Sequence, residues 1–192
     1  PESSQSNFID LINSDTGDYS RYLFFYLNNI IKTRDYNYAK EISSTIELLS
    51  SSLLIAQSKM WIDNSDYLKF EKYFSCKNEN DILSEFFFLI SNLYSSDDLY
   101  EKSNFYLNIS NYLNPKFYFN LSLLAENYYL VDNHKRLKQI LKSFNEEDEI
   151  YFWYKLKKLT QIIASKENDI KALGFIENKF KEYKNPSKKI IY

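Results

Sequence analysis

The sequence predicts an all-α protein, and three observations carry that expectation. Proline occurs only at Pro1, Pro115 and Pro186, and glycine only at Gly17 and Gly174. Hairpins and tight strand connections draw on both residues, so the grammar of a sandwich or barrel is missing. Apolar residues recur at helical spacing in segments of roughly ten to fifteen residues, separated by short polar stretches. Those stretches are alike: Arg34-Asp35-Tyr36-Asn37, Asn64-Ser65-Asp66-Tyr67, Ser96-Asp97-Asp98-Leu99, Val131-Asp132-Asn133-His134 and Glu167-Asn168-Asp169. Asp, Asn and Ser there are expected to cap the next helix, accepting bonds from its free N–H groups.

The breaks keep a near-constant interval. The small or apolar residue about five positions after each acidic turn is Ala39, Phe70, Ser103, Leu137 and Ala172, in steps of 31, 33, 34 and 35 residues. A helix–turn–helix recurring at that period marks a stacked array, in which no unit buries its apolar face alone. The boundaries are a lead-in at 1–19, then an array at 20–192 with repeats near 20–50, 51–83, 84–117, 118–152 and 153–186. Small residues at Ala39, Ser91, Ser103, Ala125 and Ala172 let helices approach closely, and large residues fill the space between units.

Taken in order, the units resemble those of the tetratricopeptide repeat proteins. In that family the first helix carries a large apolar residue, then Leu and a small residue, then an aromatic. The second carries Ala, Phe and a closing Pro. In 20–50 the pattern falls on Leu23, Tyr26, Leu27 and Ile30, then Ala39, Ser43 and Ile46. The small residue is lost at Leu27. Unit 51–83 follows the pattern least, with Leu54, Gln57, Ser58 and Trp61, then Phe70 and Phe74. Unit 84–117 follows it best, with Phe87, Ile90, Ser91 and Tyr94, then Ser103, Leu107, Ser110 and Pro115. Unit 118–152 has Leu121, Leu124, Ala125 and Tyr128, then Leu137, Leu141 and Phe144. Unit 153–186 has Leu156, Leu159, Thr160 and Ile163, then Ala172 and Ile176, with Pro186 two residues late. The resemblance implies a right-handed α-solenoid of about five repeats. Lys188-Lys189-Ile190-Ile191-Tyr192 reads as the opening of a further first helix, as if the chain were an excerpt of a longer array.

The composition removes several function classes. The 192 residues carry 24 Lys and Arg against 26 Asp and Glu, a formal charge of −2, which lacks the basic footprint of a nucleic-acid binder. One His and one Cys are too few for a His/Cys zinc site, and no intrachain disulfide can form. Two distant glycines build neither a P-loop nor a dinucleotide turn, and no Gly-x-Ser-x-Gly elbow occurs. No catalytic residue, cofactor or metal is therefore expected. The longest apolar run, Phe86-Phe87-Phe88-Leu89-Ile90, falls far short of the ~18 residues of a membrane span. The chain opens at Pro1 without the layout of a signal peptide, so an N-terminal segment was removed or the chain is an excerpt. The compartment stays open: cytoplasm, or periplasm or a membrane surface if an export signal preceded Pro1. The 18 Tyr and 15 Phe, with Lys outnumbering Arg, read first as the residue usage of an A/T-rich genome.

Single features read as structural. His134 sits in a turn as a solvated cap, Cys76 is an ordinary side chain, and Trp61 and Trp153 pack in the core or an interface. The run Glu146-Glu147-Asp148-Glu149 favours the dipole of the helix it precedes. Lys179, Lys181, Lys184, Lys188 and Lys189 form a solvated face.

The resemblance implies a protein or peptide partner in a concave groove lined by the first helices. The groove positions it gives are Arg21, Phe24 and Asn28; Ser52, Ile55 and Lys59; Glu85, Phe88 and Asn92; Phe119, Ser122 and Glu126; and Tyr154, Lys157 and Gln161. Their aromatics are expected to grip an extended or apolar peptide, with mixed charge setting register. A clamp for a C-terminal carboxylate is not expected, because Phe24 and Phe88 occupy its Lys positions. The function expected is a non-catalytic interaction scaffold. The alternative is a structural or regulatory segment of a larger protein whose catalytic or membrane-anchored part lies elsewhere.

Overall fold

The computed structural model describes residues 19–47 and 51–183. The lead-in up to residue 18, residues 48–50, and residues 184–192 with the further helix expected after Pro186 lie outside the described residues. The described residues form ten helices and no strand. These are α1 (Ser20–Lys32), α2 (Tyr36–Thr45), α3 (Leu53–Asp63), α4 (Leu68–Tyr73), α5 (Glu79–Ser96), α6 (Tyr100–Leu113), α7 (Tyr118–Leu130), α8 (His134–Leu141), α9 (Glu149–Lys166) and α10 (Asp169–Glu182). The protein is all-α.

Four interhelical turns share one geometry. After α1, Arg34 takes φ 63°, and the N–H groups of Arg34 and Asp35 donate to the carbonyls of Ile31 and Ile30 at 3.0 and 3.2 Å. Ser65 (φ 61°), Asp98 (φ 58°) and Asp132 (φ 56°) repeat the arrangement after α3, α5 and α7. The residue following each donates to Trp61, Tyr94 and Tyr128 at 2.7, 2.8 and 2.9 Å. This double closure satisfies carbonyls that a helix end leaves open, and glycine normally supplies its left-handed residue. A side chain there costs about 1 kcal/mol, a strain these Gly-free turns carry. The four left-handed residues stand 31, 33 and 34 positions apart.

The expected caps form at some breaks and not others. Asp35, Asn133 and Asn168 accept from the N–H groups of Tyr38, Arg136 and Lys171 at 3.2, 3.2 and 2.9 Å. At the third break Leu99 holds the N-cap position and makes no such bond. Asp98 has taken the left-handed position there, and its carboxylate accepts the Tyr100 hydroxyl at 2.5 Å.

The chain divides into two compact units, residues 1–71 and 72–192, with the division inside α4. In the first, α1, α2 and α3 pack on one another. Phe24 stacks on Phe70 at 5.9 Å, and Trp61 meets Phe70 edge-on at 5.2 Å. Ala39 is fully buried, which lets α2 come close. Buried Lys59 donates to the Ser43 carbonyl at 2.7 Å and pairs with Asp63 at 3.4 Å.

In the second unit, α5 packs on α6, α6 on α7, α7 on α8, and α9 on α10. Ser91, Ser103, Ser110 and Ala125 are fully buried, marking where helices approach most closely. The Ser84 and Ser110 hydroxyls each donate to the other residue's carbonyl, at 2.8 and 2.7 Å, and Asn120 donates to Ser110 Oγ at 2.7 Å. One polar knot thus ties α5, α6 and α7. A second joins the same helices: Asn127 donates to Ser103 and accepts from Ser95, at 2.8 and 2.7 Å. The apolar centre is aromatic. Tyr73 lies 4.7 Å from Phe117, and Phe144 stacks on Tyr151 at 5.4 Å. The Tyr73 hydroxyl donates to Tyr151 at 3.3 Å, closing a contact across 78 residues of sequence.

Candidate partner-binding surface

The positions that the resemblance assigns to a groove separate into buried and accessible residues. Phe24 and Asn28 are sealed in the first unit's core. In the second unit Phe88 is buried, lies 5.8 Å from half-buried Phe119 and so joins α5 to α7. Tyr154 is buried as well. The expected open aromatic ladder is therefore corrected for Phe24, Phe88 and Tyr154. Close helix approach turns these rings toward neighbouring helices. Asn92 and Lys157 are exposed, while Glu126 and Gln161 are half-buried.

Glu126 is held from two sides. The Tyr154 hydroxyl donates to Glu126 Oε1 at 2.8 Å and reaches the Ser122 carbonyl at 3.2 Å. Lys158 Nζ donates to Glu126 Oε2 at 2.6 Å and lies 4.4 Å from the centre of the Tyr129 ring. Burial, and then the charge of Glu126, push the Tyr154 phenol far above its ordinary range. The cation in this group is Lys158, one position beyond the expected Lys157. The i, i+4 relation of Tyr154 to Lys158 puts both on the buried face of α9, the signal that distinguishes the two lysines.

Among the described residues, α5 also carries a run of accessible apolar side chains outside the expected groove positions. On α5, Ile82 (47%), Leu83 (46%), Phe86 (55%), Leu89 (49%) and Leu93 (67%) stay exposed, while Asp81, Ser84, Phe88 and Ser91 face inward. Ile82, Phe86, Leu89 and Leu93 follow one another at four, three and four residues, the spacing of a helix–helix seam. They run along about 16 Å of helix. α5 contains no Lys or Arg, so no basic head interrupts the stripe. Large contiguous apolar patches are uncommon on the surfaces of monomeric proteins. The signal was in the sequence: Phe86 to Ile90 is apolar on every face of a helix, and one helix face suffices for the core.

His134 is not a solvated cap. Asn133 caps α8, and the His134 side chain is about nine-tenths buried with Nε2 2.8 Å from Asp132. Asp148 and Glu149 begin α9, Trp61 is core, and Cys76 is exposed. Among the described residues, no cluster of three His, Cys, Asp or Glu could hold a metal ion, and no helix is long and apolar enough to cross a membrane. In comparisons with known proteins the sequence matches no family model, and neither the curated proteins nor the solved structures give a match.

Proposed function

We propose that this chain is a non-catalytic protein-interaction module built from tetratricopeptide-like helical pairs, a right-handed α-solenoid of about five repeats. The recurring left-handed turns at Arg34, Ser65, Asp98 and Asp132 support the repeat reading, as do the small residues buried between helices. One observation carries the function: the apolar α5 stripe, four large side chains at helix-seam spacing left exposed on one helix face. A peptide or protein partner docks along Ile82, Phe86, Leu89 and Leu93, burying apolar area without stranding a charge. Exposed Asn92 lies on the same helix, a polar contact at the rim.

Crosslinked capture from native lysate with the full chain tests this, comparing wild type with the Phe86→Glu/Leu89→Glu variant. The expected result is capture by wild type and its loss in the variant, with circular dichroism unchanged and melting within about 3 °C. Equal capture by a folded variant removes α5 from the function.

A further inference from the structure

We infer that the partner on the α5 stripe is a second copy of this chain, its α5 lying antiparallel to the first about a two-fold axis. The inference rests on the docking reading above and names the occupant.

The stripe is its own complement. Its four-three-four spacing reads the same in both directions, so an axis passing between Phe87 and Phe88 sets Ile82 opposite the partner's Leu93. The same axis sets Phe86 opposite the partner's Leu89, and symmetry then supplies each pair twice. No position of the seam is left facing a polar residue.

Charge selects the direction. The acidic residues of α5 are Glu79, Asp81 and Glu85, all in its N-terminal half, and the helix itself contains no Lys or Arg. Asp81 is buried and accepts the Ser75 N–H at 2.8 Å, and Glu85 is half-buried. A parallel pairing sets the two Glu79 carboxylates side by side. The antiparallel pairing puts the acidic first turns at opposite ends of the seam, about 25 Å apart and beyond the reach of unscreened repulsion. It also sets the two helix dipoles antiparallel, with opposite ends side by side.

The area is sufficient. The four seam side chains, with Leu83 beside them, are each roughly half exposed and offer at most on the order of 500 Å² per copy, so the pair buries about 1,000 Å², the lower bound for a specific interface.

Sedimentation of the full chain across about 1–100 μM is the test, with Phe86→Glu and Leu93→Glu as variants. The expected mass at the upper end is twice the 23.1 kDa of the chain, and each variant weakens the dimer at least 30-fold or so while circular dichroism is unchanged. Two charge variants are named so that misfolding of one leaves the other to decide. Orientation is read by a short bismaleimide crosslinker in a Cys76→Ser background. Ile82→Cys chains mixed with Leu93→Cys chains crosslink, and Ile82→Cys chains alone do not. A dimer that persists in both variants, or crosslinking of Ile82→Cys to itself, overturns the inference. A monomer at every concentration overturns it too. If that monomer captures another protein in a Phe86-dependent way, the docking reading survives; if it captures none, both fall.

Discussion

At Ser65 a serine does what glycine does in most helical proteins, holding φ 61° at the close of α3. The account expects Ser65→Gly to stabilise the chain by about 0.5 kcal/mol, since relief of the left-handed strain exceeds the added unfolded-state freedom. Ser65→Val is expected to cost at least 1 kcal/mol or so, because a β-branched side chain fits that region worst. Urea unfolding of both variants checks the pair of signs. A different residue-scale test separates two neighbouring lysines. Lys158→Ala strips the cation from Glu126 and Tyr154 and is expected to cost about 2 kcal/mol, a partly exposed carboxylate softening the loss. Lys157→Ala is expected to stay within about 0.5 kcal/mol of wild type. The sequence showed both lysines and gave no reason to prefer the second until the buried face of α9 was known. His134 was hidden for a similar reason: turn residues are solvated by default, and only the local packing shows that this ring is covered.

Among the elements, α5, α6 and α7 are fastened by polar knots that the sequence showed only as small residues. Serine at a close approach was legible as a size requirement; its exchange of hydrogen bonds with the facing chain was not, because that depends on the helix crossing. Ser110→Ala, which keeps the size and removes the bonds to Ser84 and Asn120, is expected to cost about 1–2 kcal/mol. Ser110→Leu, which also forces the helices apart, is expected to cost more than that and broaden the unfolding transition. Helix ends were the most legible part of the fold, since caps and breaks are local chemistry. Leu99 at an N-cap was not legible, and its cause is local too: Asp98, the better cap by type, is occupied with the left-handed turn. For α5, Phe87 was legible as a packing position, whereas Phe88 read as a groove ring and is buried, and the exposed stripe opposite was not singled out.

For the whole molecule, an all-helical chain was written in the near absence of Gly and Pro and in the recurring breaks. Less legible was the aromatic centre of the second unit, where Tyr73 reaches Tyr151 across 78 residues. No periodic pattern links two tyrosines so far apart. That centre has a pH signature. Burial raises the Tyr73 phenol above its ordinary 10, and burial with the nearby Glu126 raises Tyr154. A group whose pKa is higher folded than unfolded keeps its proton longer in the native state, so its stabilisation is complete below the unfolded value and lost above it. Stability is therefore expected to fall from about pH 10 upward, by up to ~1.4 kcal/mol per pH unit for each buried phenol. Tyr73→Phe and Tyr154→Phe are expected to flatten that decline, as read by urea midpoints between neutral and strongly alkaline pH.

The central claim is that the α5 stripe is covered by a partner when the protein works. Hydroxyl-radical footprinting of the full chain asks this directly, comparing a dilute sample of the chain alone with a concentrated sample and with native lysate. Oxidation of Phe86, Leu89 and Leu93 is expected to drop severalfold in the concentrated sample or in the lysate, with exposed Tyr22 and Tyr112 unchanged as internal references. Equal oxidation of the stripe in all three settings, with protection falling elsewhere or nowhere, contradicts it.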